Sequence, residues 1–254
     1  FITHYFWKPT MLTRTVIRDC IANSDSSLDT LMKVYDRIPA GDCQRKTHCC
    51  TLLPEASFVE ILAVIRCFQN MTARLKKRLY IKLVEYFFLN PVKITSCPFL
   101  EGRDCQIYPD RFFGCRAYGL WSYEYYQKLA ECNREAKIQL QQQWKRLEIT
   151  LPQQVVDYNL PYCREVEAEV PSTMDDRRLS DIWNTVYKLS EKFSPWHRIC
   201  QQNYFGDLSF LFSTLAFGFN EALQLKYNVV KDMIAFNNRN TFKQLIENLS
   251  DFEI

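Results

Sequence analysis

Cysteines stand at positions 97, 105 and 115 in a stretch where Pro98, Gly102, Pro109 and Gly114 prevent any long helix. A loop-rich segment this dense in cysteine needs something besides a core to hold it. A metal ion or an iron–sulfur cluster is the first candidate. The whole chain carries 11 cysteines, at 20, 43, 49, 50, 67, 97, 105, 115, 132, 163 and 200. The count is odd, so complete disulfide pairing within one chain is impossible. Disulfide scaffolds rescue small secreted domains that have too little core. This chain has 254 residues, 47% of them hydrophobic and only 6 of them glycine, so a substantial core is available. Reduced thiols held as metal ligands in a cytoplasmic protein fit that composition better.

The net charge is +3 with both signs interspersed and no basic block, so nucleic-acid binding gains no support. The most apolar run, Leu208 to Phe219, is interrupted by Ser209, Ser213, Thr214 and Gly218. It is also well short of the roughly 20 residues that span a bilayer. No signal peptide is visible. The chain begins with Phe rather than Met, which leaves room for an upstream segment that has been removed, a cleaved export signal included.

Outside the cysteine-rich loop the periodicity is helical, and the expected fold is mainly α: a helical domain with an irregular, cysteine-rich metal-binding layer. Residues 1–42 form an N-terminal helical segment. Leu12, Val16 and Cys20 share one face; Leu28, Leu31, Met32 and Tyr35 share another, capped at Ser26 or Ser27. Residues 43–163 form the cysteine-cluster domain. Within it, Phe58, Ile61, Leu62, Ile65 and Phe68, then Leu75, Leu79, Leu83 and Phe87, trace two helices divided near Asn70 and stopped at Asn90-Pro91. Arg74, Lys76, Lys77 and Arg78 read as a solvated helix face. Tyr125, Leu129, Cys132, Ala136, Leu140, Trp144 and Leu147 line one face of a further helix. Residues 164–254 form a C-terminal helical subdomain with stripes Leu179–Phe193, capped near Ser172 or Thr173, and Leu208–Leu223. A third stripe, Val229–Leu249, kinks around Asn237-Asn238.

Cys43-x5-Cys49-Cys50, then Cys97-Pro-Phe-Leu, Cys105-x-Ile-Tyr, Arg111 and Cys115-Arg-x-Tyr118 resemble the YkgJ-type cysteine-cluster family, which is described as zinc- or iron-chelating. The similarity covers roughly residues 43–132, and the ordered set is far more specific than any single piece. The resemblance implies that Cys43, Cys49, Cys50, Cys97, Cys105 and Cys115 are metal ligands, with Cys132, in Cys-Asn-Arg, matching a late family cysteine. The chain departs from the family in two places. Lys46 and Thr47 stand where a further cysteine followed by glycine is common, and Phe112 stands where proline is common. Cys163, His48 and Cys132 are the possible replacements for the missing ligand.

Six or more thiols exceed the four ligands of one tetrahedral zinc or one [4Fe–4S] cluster. The excess points to two sites, or to one site with structural or redox cysteines beside it. Soft thiolates select an iron–sulfur cluster, zinc or copper(I) over calcium or magnesium. Adjacent side chains diverge in most backbone conformations, so Cys49 and Cys50 are not expected to serve one mononuclear ion equally. Arg111 and Arg116 lie close enough in sequence to offset thiolate charge or orient the loop, or else to form surface ion pairs. Tyr118, Trp121, Tyr123, Tyr125 and Tyr126 follow the last loop cysteine, either as a cover over a cluster or as ordinary core. Cys20 and Cys67 read as packing residues, and His197 with Cys200 as a packed helix end. No Gly-rich phosphate loop, G-x-S-x-G or H-E-x-x-H motif is present. The expected function is a metal-binding protein with a cysteine-ligated iron–sulfur cluster, [4Fe–4S] foremost, or zinc. The alternatives are a cluster-dependent modifying enzyme, for example in protein methylation, and a helical interaction module with a structural zinc.

Overall fold

The computed structural model describes residues 11–39, 46–163 and 174–250. The chain is mainly helical. Its helices are α1 (Arg14–Ala22), α2 (Asp25–Tyr35), α3 (Phe58–Gln69), α4 (Ala73–Leu89), α5 (Phe113–Ala117), α6 (Tyr123–Arg146), α7 (Gln153–Val156), α8 (Asp176–Glu191), α9 (Trp196–Tyr204), α10 (Leu208–Phe217), α11 (Phe219–Ala235) and α12 (Asn240–Glu247). Short 3-10 turns cover His48–Thr51 and Tyr108–Asp110. The strand content of the described residues is one antiparallel pair, β1 (Leu100–Glu101) with β2 (Asp104–Cys105), in the register Leu100↔Cys105.

Side-chain caps set many of the boundaries. Thr13, Thr72, Ser122 and Asp175 each accept a hydrogen bond from a first-turn N–H of α1, α4, α6 and α8, and Asp207 accepts from Ser209 and Phe210 in α10. The division near Asn70 and the stop at Asn90 fall where the sequence places them. Elsewhere the local reading gives way. α2 starts at Asp25 behind Ser24, ahead of Ser26 and Ser27, because the Ser24 carbonyl already accepts from Ser27 and Leu28. The cap proposed at Ser172 or Thr173 lies outside the described residues; α8 is capped by Asp175. The Leu208–Leu223 stripe is two helices, since Gly218, at φ +86, ends α10 and begins α11.

α3 is the centre of the molecule. Phe58 through Ile65 are all buried, which is what a helix apolar on every side requires. α1, α2, α8 and α9 pack on α3, while α10 runs along α4 and α11 closes over both. The aromatic rings of Phe68, Phe99 and Phe212 meet edge-to-face where these layers join, at centroid distances of 6.0 and 5.3 Å. Residues of α2, α3, α4, α8 and α10 share a single buried cluster with Cys97, Phe99 and Phe112 of the cysteine-rich loop.

α6 departs most from expectation. Of its 24 residues only Trp144 is buried. Leu129, Ile138 and Leu140 are more than 40% exposed, so the stripe containing Cys132 does not face a core. The helix is fastened at its C-terminal end, where Trp144 joins Ile149, Leu151, Val156 and Val230 in a small separate cluster. No helix among the described residues is long and apolar enough to cross a membrane.

Candidate metal centre

Two loops meet beside α3. The first is the 3-10 turn ahead of it, carrying Cys49 and Cys50. The second runs from the end of α4 through the β1–β2 pair to α5, carrying Cys97, Cys105 and Cys115. The Cys97 N–H donates to the Cys50 carbonyl at 2.7 Å and pins one loop to the other. Gly102 makes the tight turn between β1 and β2 at φ +61, a conformation that costs an L side chain energy. Within the second loop, the Phe99 N–H donates to the Cys97 sulfur and the Ile107 N–H to the Cys105 sulfur. A backbone donor two residues beyond a cysteine stabilises its thiolate form.

Cys49, Cys50, Cys97, Cys105 and Cys115 line one cavity of about 340 Å³, with Phe99, Ile107 and Phe112 on its apolar side and Arg103 and Arg111 on its charged side. All ten described cysteines are free thiols. Cys49 and Cys50 Sγ are 3.6 Å apart. Adjacent side chains therefore do converge here, contrary to the sequence expectation, because Cys50 sits at φ −97, ψ 17 within the turn and not in an extended strand. The contact with the Cys50 thiol, with help from Arg111, lowers Cys49 to about 7, while the same contact and burial raise Cys50. Burial pushes Cys97 up to about 12 and raises Cys105 and Cys115, Cys115 by a wide margin. Neighbouring thiols add to each of these shifts: Cys97, Cys49 and Cys105 all raise Cys115. Five thiolates can therefore coexist here only against a compensating positive charge.

Among the described residues, no set of three or more His, Cys, Asp or Glu side chains is arranged to hold a metal ion directly. The thiols surround a volume and do not meet at a point. Soft thiols are the donor type a thiophilic metal group takes.

The two arginines divide the roles open to them. Arg111 lines the cavity, lies 4.2 Å from the Tyr108 ring centroid, and keeps a buried Nε with no hydrogen-bond partner. Arg116 turns away: it stands over the Tyr35 ring at 4.3 Å and donates to the Arg111 and Pro109 carbonyls, which clamps the loop.

The remaining candidates scatter. Cys43 lies outside the described residues. Cys132 is exposed on α6, and Cys163 is half-buried beside Tyr118; neither lines the cavity. His48 is exposed and does not line the cavity, whereas its neighbour Thr47 does. Tyr118, Trp121 and Tyr126 do not line the five-thiol cavity. They line a separate chamber of about 500 Å³ whose wall includes Cys49 and Cys115. Tyr123 is half exposed. His197 and Cys200 are buried in α9, as a packed helix end requires.

Sequence reasoning missed Glu60. Its carboxylate, 1% exposed, accepts from the Tyr35 hydroxyl at 2.5 Å, the Ser57 N–H at 2.8 Å and the Phe113 N–H at 2.5 Å. It thereby ties α2, α3 and the start of the Cys115 helix together. A lone acid inside the apolar run Phe58–Ile65 is the signal that marks it.

No known protein family, no curated protein and no solved structure matches the chain.

Proposed function

We propose that the chain is a metal-binding protein whose centre is ligated from Cys49, Cys50, Cys97, Cys105 and Cys115, with Cys43 as a further candidate. The observation that carries this reading is the convergence of five free thiols, from two loops far apart in sequence, on one cavity bordered by Arg103 and Arg111. An iron–sulfur cluster is favoured over zinc. Four thiolates around one zinc, at Zn–S of about 2.3 Å, would stand roughly 3.8 Å from one another. Cys49 and Cys50 stand at about that spacing, but no three thiols among the described residues are gathered tightly enough to hold a single ion, and five thiols lining one cavity leave room for a larger, polynuclear group. The YkgJ-type motif order supports the same ligands, and reduced thiols suit a cytoplasmic setting.

A bound cluster would supply one-electron chemistry or a Lewis-acidic iron. The chain's own contribution is to hold the thiols, donate the Phe99 and Ile107 N–H groups to sulfur, and place Arg111 against the thiolate charge. A second reading, an enzyme that uses the centre beside a ligand pocket, is favoured by the 500 Å³ chamber on the other side of Cys49 and Cys115.

Metal and sulfide analysis with an absorption spectrum, on protein purified without oxygen, tests the proposal. Iron with matching sulfide and a broad band near 400 nm, roughly where thiolate-ligated clusters absorb, is the expected result. One colourless zinc per chain would move the reading to a structural site. Absence of both metals, with the thiols paired as disulfides, would overturn it.

A further inference from the structure

The chamber beyond Cys49 and Cys115 is built as a ligand site. Its 500 Å³ falls within the usual range for small-molecule pockets, about 300–1,000 Å³. Its aromatic walls are fixed in place. The Tyr118 hydroxyl donates to the Pro161 carbonyl at 2.6 Å, the Tyr126 hydroxyl to the Leu160 carbonyl at 2.8 Å, and the Tyr158 hydroxyl bonds Thr51 Oγ1 at 2.7 Å. With their hydroxyls engaged, these tyrosines offer the chamber ring surface and not polar groups. Trp121 is stacked on Tyr125 at 4.3 Å, and Tyr126 packs on Tyr123 and Tyr162. Tyr118 and Tyr158 stack on no other ring among the described residues; Lys137 Nζ stands over one face of Tyr158, so the Tyr118 ring and the other face of Tyr158 are the surfaces open to an incoming ring.

The polar groups on the same walls are of two kinds. Glu55 and Lys137 carry opposite charges, so the chamber has neither a cluster of cations to select a phosphate nor a cluster of carboxylates to select a polycation. Lys137 is in any case engaged, donating to the Tyr158 carbonyl and standing 5.4 Å from that ring's centroid. The amides of Asn133 and Asn159 also line the chamber and make no hydrogen bond among the described residues. An amide offers a donor and an acceptor side by side, the pattern that reads the edge of a heteroaromatic ring.

We infer that this chamber binds an uncharged planar heteroaromatic ring, stacked against Tyr118 or Tyr158, read at its edge by Asn133 and Asn159, and held against the Cys49 and Cys115 wall of the thiol cavity. That the ligand serves the metal centre rests on the function proposed above; the binding itself does not.

Lumichrome, a planar tricycle with donors and acceptors along one edge, is the probe, and its fluorescence anisotropy is followed on addition of the full chain. One saturable site is expected. Asn159→Leu and Tyr118→Leu should each weaken binding about tenfold, the effect of losing a stacked ring or an edge-reading group. Tyr118→Phe, which keeps the ring, should stay within about threefold of the parent. If Tyr118→Leu fails to fold by circular dichroism, Asn133→Leu, at a solvent-exposed position of α6 that lines the chamber, carries the test, again with about tenfold weakening expected. No saturation up to about 1 mM protein, the weak limit of specific binding, would overturn the inference. So would affinity unchanged from the parent in both asparagine variants. Cys105→Ser separates the two proposals, since Cys105 lines the thiol cavity and not the chamber. Lumichrome binding retained in Cys105→Ser, or in parent protein that proves metal-free, supports the chamber whatever becomes of the metal reading.

Discussion

Glu60→Gln is the sharpest test of how the site is held. The glutamate carboxylate is the shared acceptor of three buried donors, from Tyr35, Ser57 and Phe113. Tyr35 stays a neutral donor, since burial first and Glu60 second push its hydroxyl well above the usual tyrosine range. An amide of the same shape has one acceptor oxygen in place of two. Its NH2 group must then face either the Ser57 or the Phe113 N–H, so one hydrogen bond is lost outright and the others lose their charge. Hydrogen bonds to a charged group contribute about 1.5–3 kcal/mol each, and a buried donor left unpaired costs about 1–3 kcal/mol. The expected loss is therefore about 2–4 kcal/mol, a large part of a typical stability of about 5–15 kcal/mol. It is read as a lower urea midpoint at unchanged m. Tyr35→Phe leaves both backbone donors in place and should cost about 1–2 kcal/mol; combined with Glu60→Gln it should show a coupling of about 1 kcal/mol. Because Phe113 opens the helix that carries Cys115, Glu60→Gln should also lower metal content. A loss under 1 kcal/mol, or full metal loading in a measurably destabilised variant, would refute the reasoning.

Metal-free protein should lose stability as pH rises above about 9. The Cys97, Cys105 and Cys115 thiols are raised above their ordinary value in the fold, so the unfolded chain releases those protons first and alkali favours it; urea midpoints from pH 7 to 10 follow this directly. Metal affinity should change the opposite way, strengthening from pH 6 to 8 by up to about tenfold per unit for each proton released, as measured by chelator competition. Cys132→Ser and Cys163→Ser should leave metal stoichiometry unchanged while Cys105→Ser and Cys115→Ser lower it, a contrast that elemental analysis resolves. Gly206→Ala should cost about 2–4 kcal/mol in a denaturant titration: its Cβ would meet the Ala56 carbonyl oxygen at 2.6 Å, at a φ of +67 that side chains rarely adopt.

Much of the helical layout could be read from local signals. The Phe58–Phe68 and Leu179–Phe193 stripes, the break at Asn70 and the stop at Asn90-Pro91 are each set by residues a few positions apart. The loop cysteines at 97, 105 and 115 announce themselves by density. What escaped the sequence depends on distance. The 3.6 Å approach of Cys49 to Cys50 follows from a turn conformation that residue types do not specify. The Tyr35–Glu60–Phe113 junction spans separations of 25 and 53 residues, and no periodicity encodes it. α6 misled because its apolar stripe is real but borders a cleft: Leu129 and Leu140 line chambers instead of joining the core. Cys132 lies on that same outward helix, which is why a motif match there carries no cavity with it.

The bond from the Cys97 N–H to the Cys50 carbonyl has a bearing on the order of events during folding. Between the two cysteine-bearing loops the chain must complete α3 and α4, which find their main packing partners elsewhere, α3 on α1, α2, α8 and α9 and α4 on α10 and α11. A newly made chain therefore offers its thiols in two separate sets, Cys49 with Cys50 and later Cys97, Cys105 and Cys115. Neither set alone has the four thiols of a closed site. Closing the intervening loop carries an entropic cost that the packing of α3 and α4 into the common core, with the C-terminal helices that cover them, must already have offset. Metal would then be captured last, by chains whose helical core is already correct, and its presence would certify that assembly is finished.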